Sequence, residues 1–361
     1  MHPTPIKGRG SVSNRTSRFD ELQRVSFDDE WGSGHHEDGP PRPATVVTNE
    51  TAKSIISHND SPDIPFDQSI NPYRGCEHGC IYCYARPTHA YLNHSPGLDF
   101  ETKLYAKHNA AELLRKALSR PSYLPKLIAL GANTDPYQPI ERRLRITSSI
   151  LAVLKEFNHP VAITTKSASI TQDIDMLAYM ASKNLVRVYM SVGSLDGSIA
   201  RTLEPRASAP GARLNALRKL AQAGIPTGVI VAPVIPALTD HDMEKILFSA
   251  KDAGAQYAAY VLLRLPLEIS ELFREWLAAH HPLKEAHVMN LIKQMRGGKV
   301  YDADFRTRMK GSGIFADLIR QRFQKACTKA GLNPDRRAHL TALSTADFLR
   351  PTQAGSQGEL F

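Results

Sequence analysis

Three cysteines within eight positions carry the strongest chemical signal in this sequence. Cys76, Cys80 and Cys83 stand in INPYRGCEHGCIYCYAR, residues 70–86, with the spacing C-x3-C-x2-C. A structural zinc ion takes four ligands, and the only other cysteine of the chain is the distant Cys327. Three thiolates at this spacing suit a [4Fe–4S] cluster whose remaining iron is open to a substrate or cofactor. The alternative is a zinc site completed by His78 or His89, although His78 lies inside the loop between two of the cysteines. Four cysteines in 361 residues do not make a disulfide scaffold, so the set points to metal chemistry in a reducing cytosol. The adjacent His35 and His36 have no further ligand at a useful spacing and read as a solvated pair.

The loop needs elements to hold it. From residue 66 short apolar runs alternate with helical patterns. The runs predict strands at 66–71, 126–131, 161–165, 186–192, 227–231 and 258–262. Helices are predicted at 110–119, 148–157, 172–182, 212–223 and 242–253, and endings such as AQAG and KDAG supply glycine stops. Six β–α units in succession make a parallel α/β sheet, wound into a barrel or a doubly wound layer. The cysteine loop follows the first strand, at the end where the loops of such barrels build their sites. Beyond residue 266 the strands stop, and EISELFREWLAAHHP and FADLIRQRFQKACTKAGL read as amphipathic helices. The organisation expected is an irregular extension over 1–65, a barrel over 66–265, a basic helical region over 266–345 and a tail over 346–361.

Composition excludes several classes. With 42% hydrophobic and 22% charged residues, neither wholesale disorder nor collagen-like structure fits. No apolar run is long enough to span a membrane. The opening MHPTPIKGRGSVSNR has no apolar core, so no secretory signal is expected and the location expected is cytoplasmic. The net charge of +9 is unevenly placed: residues 284–337 hold thirteen Lys/Arg against five Asp/Glu. Such a region attracts a polyanion or forms a solvated basic face. At 7% aromatic residues, few platforms for base stacking are expected.

The cysteine motif resembles that of the radical S-adenosylmethionine (SAM) enzymes, C-x3-C-x-Φ-C, in which Tyr82 takes the aromatic place. The resemblance covers about residues 66–265 and implies the partial (β/α)6 barrel of that superfamily. CIYCYAR and TDPYQPIE, residues 134–141, are similar to the spore photoproduct lyase branch. The stretch from GRGS at 8–11 to APVIPALTDHD at 232–242 looks like bacterial proteins labelled DNA repair photolyase-like. The resemblance implies a [4Fe–4S] cluster on the three cysteines, with SAM chelating the open iron. It also implies a flavodoxin- or ferredoxin-type electron donor and a 5′-deoxyadenosyl radical that abstracts hydrogen.

Candidate SAM contacts then follow the strands. Asn133, Thr134 and Asp135, in GANTD, could accept from the SAM ammonium, or simply form a turn. Lys166 could pair with the SAM carboxylate and Ser167 could hold the ribose, as could Ser191 at the end of the fourth strand. Glu204 and Arg206, in LEPRAS, could fix a carboxylate or phosphate, or form a loop salt bridge, with Arg213 opening the next helix. By matching position, Tyr84 is a candidate for radical relay and Tyr82 packs over the cluster. The lyase has a hydrogen-donating cysteine just after strand two, whereas IALGANTDPYQPIE has none, so its route of thymine-photoproduct repair is not expected here. The ending Gln357-Gly-Glu-Leu360-Phe361 resembles the bacterial sliding-clamp pentapeptide with Gly in place of Leu. The function expected is radical SAM chemistry on nucleic acid, with damaged DNA as one candidate. The other readings are modification of RNA or protein, and a non-catalytic iron–sulfur protein for electron transfer or sensing.

Overall fold

A computed structural model describes residues 5–21, 43–334 and 343–351. His35, His36 and the C-terminal pentapeptide lie outside the described residues. The chain forms strands β1 (Val46–Asn49), β2 (Ile56–His58), β3 (Gln68–Ile70), β4 (Tyr73–Arg74) and β5 (Lys103–Ala106). The later strands are β6 (Ile128–Leu130), β7 (Val161–Thr165), β8 (Val186–Ser191), β9 (Thr227–Val234) and β10 (Tyr257–Leu262). Helices α1 (Leu98–Thr102), α2 (Ala110–Leu118), α3 (Glu141–Leu144), α4 (Ile146–Glu156) and α5 (Ile174–Ser182) precede α6 (Gly197–Leu203) and α7 (Pro210–Gln222). The chain continues through α8 (Met243–Asp252), α9 (Ile269–His280), α10 (Glu285–Gln294) and α11 (Ile314–Ala330).

The six strands predicted from the sequence are present and lie side by side in chain order. The main sheet runs β10-β9-β8-β7-β6-β3-β2, parallel throughout except that β2 pairs antiparallel with β3. Its two ends do not pair with each other, so the barrel is open. The apolar runs VYMS of β8 and VIVAPV of β9 are largely buried, as strands covered on both faces require. Helix α7 starts with Pro210 and is followed by Gly224 at φ +76°, and α8 is followed by Gly254 at φ +98°. The sequence placed no strand before residue 66, where β1 and β2 occur. A small second sheet, β1-β5-β4, lies beside the cysteine loop.

Two large cores hold the molecule, with a small cluster of Cys76, Ala85 and Phe100 at the cysteine loop. The larger joins the sheet to α2, α4, α5, α7, α8 and α11, and includes Cys327. The smaller joins α9 and α10 to Ile81 of the cysteine loop and to Leu203, and Trp276 Nε1 donates to the Thr202 carbonyl at 3.0 Å. The C-terminal helices therefore brace the cysteine loop itself.

A buried histidine gives the fold an acid limit. His159 is fully buried, with Nδ1 3.0 Å from the Pro160 carbonyl, Nε2 2.8 Å from the Tyr123 hydroxyl and Phe348 edge-on to the ring. Burial holds its pKa down to about 4, against 6.5 ordinarily. Between those values the unfolded chain binds a proton that the folded chain does not. The stability is fully present above pH 6.5 and declines as the pH falls toward 4, by up to about 1.4 kcal/mol per pH unit. His159→Phe removes this contribution. Urea unfolding at pH 7 and pH 5 should show the acid loss to be at least about 1 kcal/mol smaller in the variant; parallel profiles would refute it.

Candidate active site

The cysteine loop leaves β3 at its C-terminal end, turns through β4 and passes the three thiols before a short 3-10 turn over Arg86–Leu92. Cys76 and Cys80 are buried and Cys83 is partly so; all three are free thiols. Burial pushes all three up, Cys80 to about 12. Metal binding must therefore displace protons, helped by the cations Lys166, Arg213 and Arg86 nearby.

The loop is held from below by one arginine. Arg86 is fully buried and donates to the carbonyls of Cys80 (2.8 Å), Gly79 (3.0 Å), Pro96 (3.1 Å) and Gly97 (2.9 Å), and to the Glu101 carboxylate. Glu101, also fully buried, accepts from the amides of Gly10 at 3.0 Å and Ser11 at 2.8 Å. The segment 8–11 thus lies as a strap across the loop. A Cβ on Gly10 would sit 1.9 Å from the Gly79 carbonyl oxygen, so only glycine allows the approach.

TDPYQPIE buttresses the other side. The buried Gln138 accepts from the Glu77 amide at 2.8 Å and donates to the Gly75 carbonyl at 3.2 Å, on either side of Cys76. Thr134 donates to the Tyr73 carbonyl, and Glu141 accepts from the Tyr73 hydroxyl and the Thr147 amide. Asp135 accepts from the Thr165 hydroxyl and the Lys166 amide, each at 2.7 Å, and faces His78 Nδ1 at 3.3 Å. Burial alone would raise its pKa; the His78 imidazole and these donors hold it at about 2.

The remaining candidates fall into two groups. Lys166 and Asn133 sit at the ends of β7 and β6, and their side chains make no hydrogen bond among the described residues; Lys166 Nζ lies 5.9 Å from the Tyr82 ring centroid. The others have partners within the protein. Ser167 bonds the Ser169 hydroxyl at 2.6 Å, and Ser191 donates to the Ala232 carbonyl at 3.3 Å. Glu204 is not joined to Arg206: it forms a buried ion pair with Arg213 and accepts from the Tyr82 hydroxyl. Arg206 instead pairs with Glu77 at 3.1 Å. Tyr84, 48% exposed, donates to the Ala132 carbonyl after β6. Sequence reasoning missed Arg86, Glu101 and Gln138, whose chemistry is purely supportive. The one available signal was the density of polar residues in TDPYQPIE.

The donor set fits a polynuclear centre. His89 Nε2 is turned to the Lys103 carbonyl at 2.9 Å. Three thiols on one braced loop suit a cluster, in which each thiolate takes a different iron.

Comparison with known proteins agrees. The sequence model of the Radical SAM superfamily matches residues 70–250, half of the chain. An uncharacterized protein of Mycobacterium tuberculosis is 38% identical over 61% of this chain and 65% of its own length. One of Methanocaldococcus jannaschii is 26% identical over 59% of this chain and 76% of its own. The chain thus spans just under two thirds of the length of the mycobacterial relative. Among solved structures, a cysteine-to-serine mutant of spore photoproduct lyase shares the fold at a TM-score of 0.53, with 15% identity over 79% of this chain and 80% of that one. A further lyase mutant, solved with AdoMet and dinucleoside spore photoproduct, aligns over the same shares with 15% identity and a TM-score of 0.53. With three cysteines at the family's spacing on a braced loop at the mouth of an open parallel barrel, this chain belongs to the radical SAM superfamily, which uses a [4Fe–4S] cluster and S-adenosylmethionine.

Proposed function

We propose that this chain is a radical SAM enzyme that acts on nucleic acid. The observation that carries the reading is the cysteine loop, with two buried thiols, a third partly buried, and the partly buried cation of Lys166 at one end of the sheet. When bound, the cluster and SAM supply a 5′-deoxyadenosyl radical that takes a hydrogen atom from the substrate. The protein's part is to bind, orient and exclude water. Lys166 is the cation for the SAM carboxylate, and Asn133 offers its amide oxygen to the ammonium. Asp135 fixes the backbone turn on which Lys166 stands, while Glu204 and Arg213 lock Tyr82 beside the cluster. Tyr84, next to Cys83, is the candidate for carrying a hydrogen atom between cofactor and substrate. Ser167, Ser191 and Arg206 hold the walls in place through their own partners.

Nucleic acid is favoured by the basic run of 284–337 and by the fold shared with a lyase solved with a dinucleoside lesion. The stretch 128–141 has no cysteine, so the reaction proposed is not the lyase's repair route. An external electron donor is required, and a sliding-clamp contact through the C-terminal pentapeptide is a further proposal. The test is anaerobic reconstitution with iron and sulfide, followed by SAM and dithionite, with 5′-deoxyadenosine measured by chromatography. Its formation is the expected result. Full iron loading with a cluster spectrum that SAM does not perturb would replace this reading with an electron-transfer or sensing protein.

A further inference from the structure

The chain between α10 and α11 folds back over the end of β10. The Met309 carbonyl accepts from the Leu262 amide at 2.9 Å, and Arg296 pins the segment through the carbonyls of Leu263 (2.6 Å) and Arg308 (3.1 Å). Arg308 is in turn neutralised by a bidentate pair with Asp63, at 2.6 and 2.5 Å, and lies over the Phe305 ring at 4.5 Å. That geometry leaves Phe305 43% exposed on a ledge beside the mouth, with Phe315 equally exposed at the start of α11.

Arg264 stands between this ledge and the cysteine loop. It follows β10 and lies 5.6 Å from the Tyr84 ring centroid. Its polar neighbours are weak: the Tyr301 hydroxyl and the Met309 sulfur, each at 3.4 Å. Its Nε is buried without a hydrogen-bond partner, and among the described residues no carboxylate pairs with it. Buried guanidinium donors ordinarily find acceptors, and a planar fork matches a phosphate. Lys166 adds to the positive field around Tyr84.

We propose that this ledge receives a single strand of nucleic acid, with Arg264 gripping a backbone phosphate next to Tyr84 and Phe305 stacking a neighbouring base. The inference rests on the nucleic-acid reading and deepens it. An exposed aromatic on the same ledge as a guanidinium that no carboxylate neutralises is a combination that holds a strand without reading its sequence. A phosphate at Arg264 places the attached nucleotide at the mouth, over the residue that follows Cys83.

The two side chains should leave different signatures. Binding of a fluorescein-labelled oligothymidylate to the reconstituted full chain with SAM is measured by anisotropy across a salt series. Arg264→Gln should weaken binding and reduce the slope of log K against log salt by about 0.7, the share of one phosphate on a single strand. Phe305→Ala should weaken binding by about tenfold and leave the slope unchanged, since stacking releases no counterion. Arg264→Lys should keep the slope and lose part of the affinity, because it retains the charge without the fork. Lys116→Gln, at an exposed position on α2, should bind as the parent does. A parent that binds while Arg264→Gln and Phe305→Ala match it would overturn the ledge and leave the nucleic-acid reading standing. A parent with no salt-dependent binding would remove both.

Discussion

Cys80→Ala should abolish 5′-deoxyadenosine formation while leaving the metal-free fold almost intact. Its carbonyl, which accepts from Arg86, and its neighbour Ile81, whose amide donates to the Leu203 carbonyl, are untouched by the change. The loop therefore keeps its course and loses one thiolate. Removing a ligand outright should exceed the roughly hundredfold cost of losing an outer-shell partner at a metal site. Removing a small buried side chain should cost the metal-free chain less than about 1.5 kcal/mol. Iron content after reconstitution, product chromatography and urea unfolding read the three quantities. Cys327→Ala is the matched control, since that thiol lies in the sheet core on α11 and should leave iron content unchanged. Equal iron loading in the Cys80 and Cys327 variants would show that the loop does not hold the cluster.

The second large effect is on stability. Arg86→Met leaves the Glu101 carboxylate buried without its charge partner and strips four carbonyls of their donor. Breaking a buried pair from one side costs about 3–5 kcal/mol. Adding Glu101→Gln should recover part of that loss, because the neutral side chain leaves no unpaired buried charge and its single amide oxygen still accepts from one of the two amides, Gly10 or Ser11. Urea unfolding of the metal-free chain measures both. A loss below about 1 kcal/mol in the single variant would mean that this pair does not hold the loop.

The barrel was readable because its strands are short apolar runs closed off by glycine stops, and both signals are local. β1, β2 and β4 carried no such pattern: they are two to four residues long and partly exposed, with positions set by pairing to β5 and β3 and not by their own residue types. In the candidate site, motif spacing and strand ends were enough to propose the thiols and Lys166. The ion pairs could not. Sequence proximity suggested Glu204 with Arg206, but the turn into α7 brings Arg213, nine residues on, against Glu204, and Arg206 faces Glu77 instead. The supports of the loop come from far away in the chain, Gln138 at a separation of 61 residues from Glu77 and Gly10 at 91 from Glu101. No local pattern encodes such pairings.

The strap across the cysteine loop also imposes an order on how the protein matures. Residues 8–11 leave the ribosome long before Glu101 exists, and they have no anchor until it does. Closing a loop of 91 residues adds only a modest, logarithmic entropy cost, so the strap seats readily once β5 is in place. Iron delivered to the nascent chain before that moment meets an open loop. Iron delivered afterwards must wait for the strap to lift or enter from the mouth. Synthesis and metallation therefore compete in time, and a chain made faster than iron is supplied would close around bare thiols.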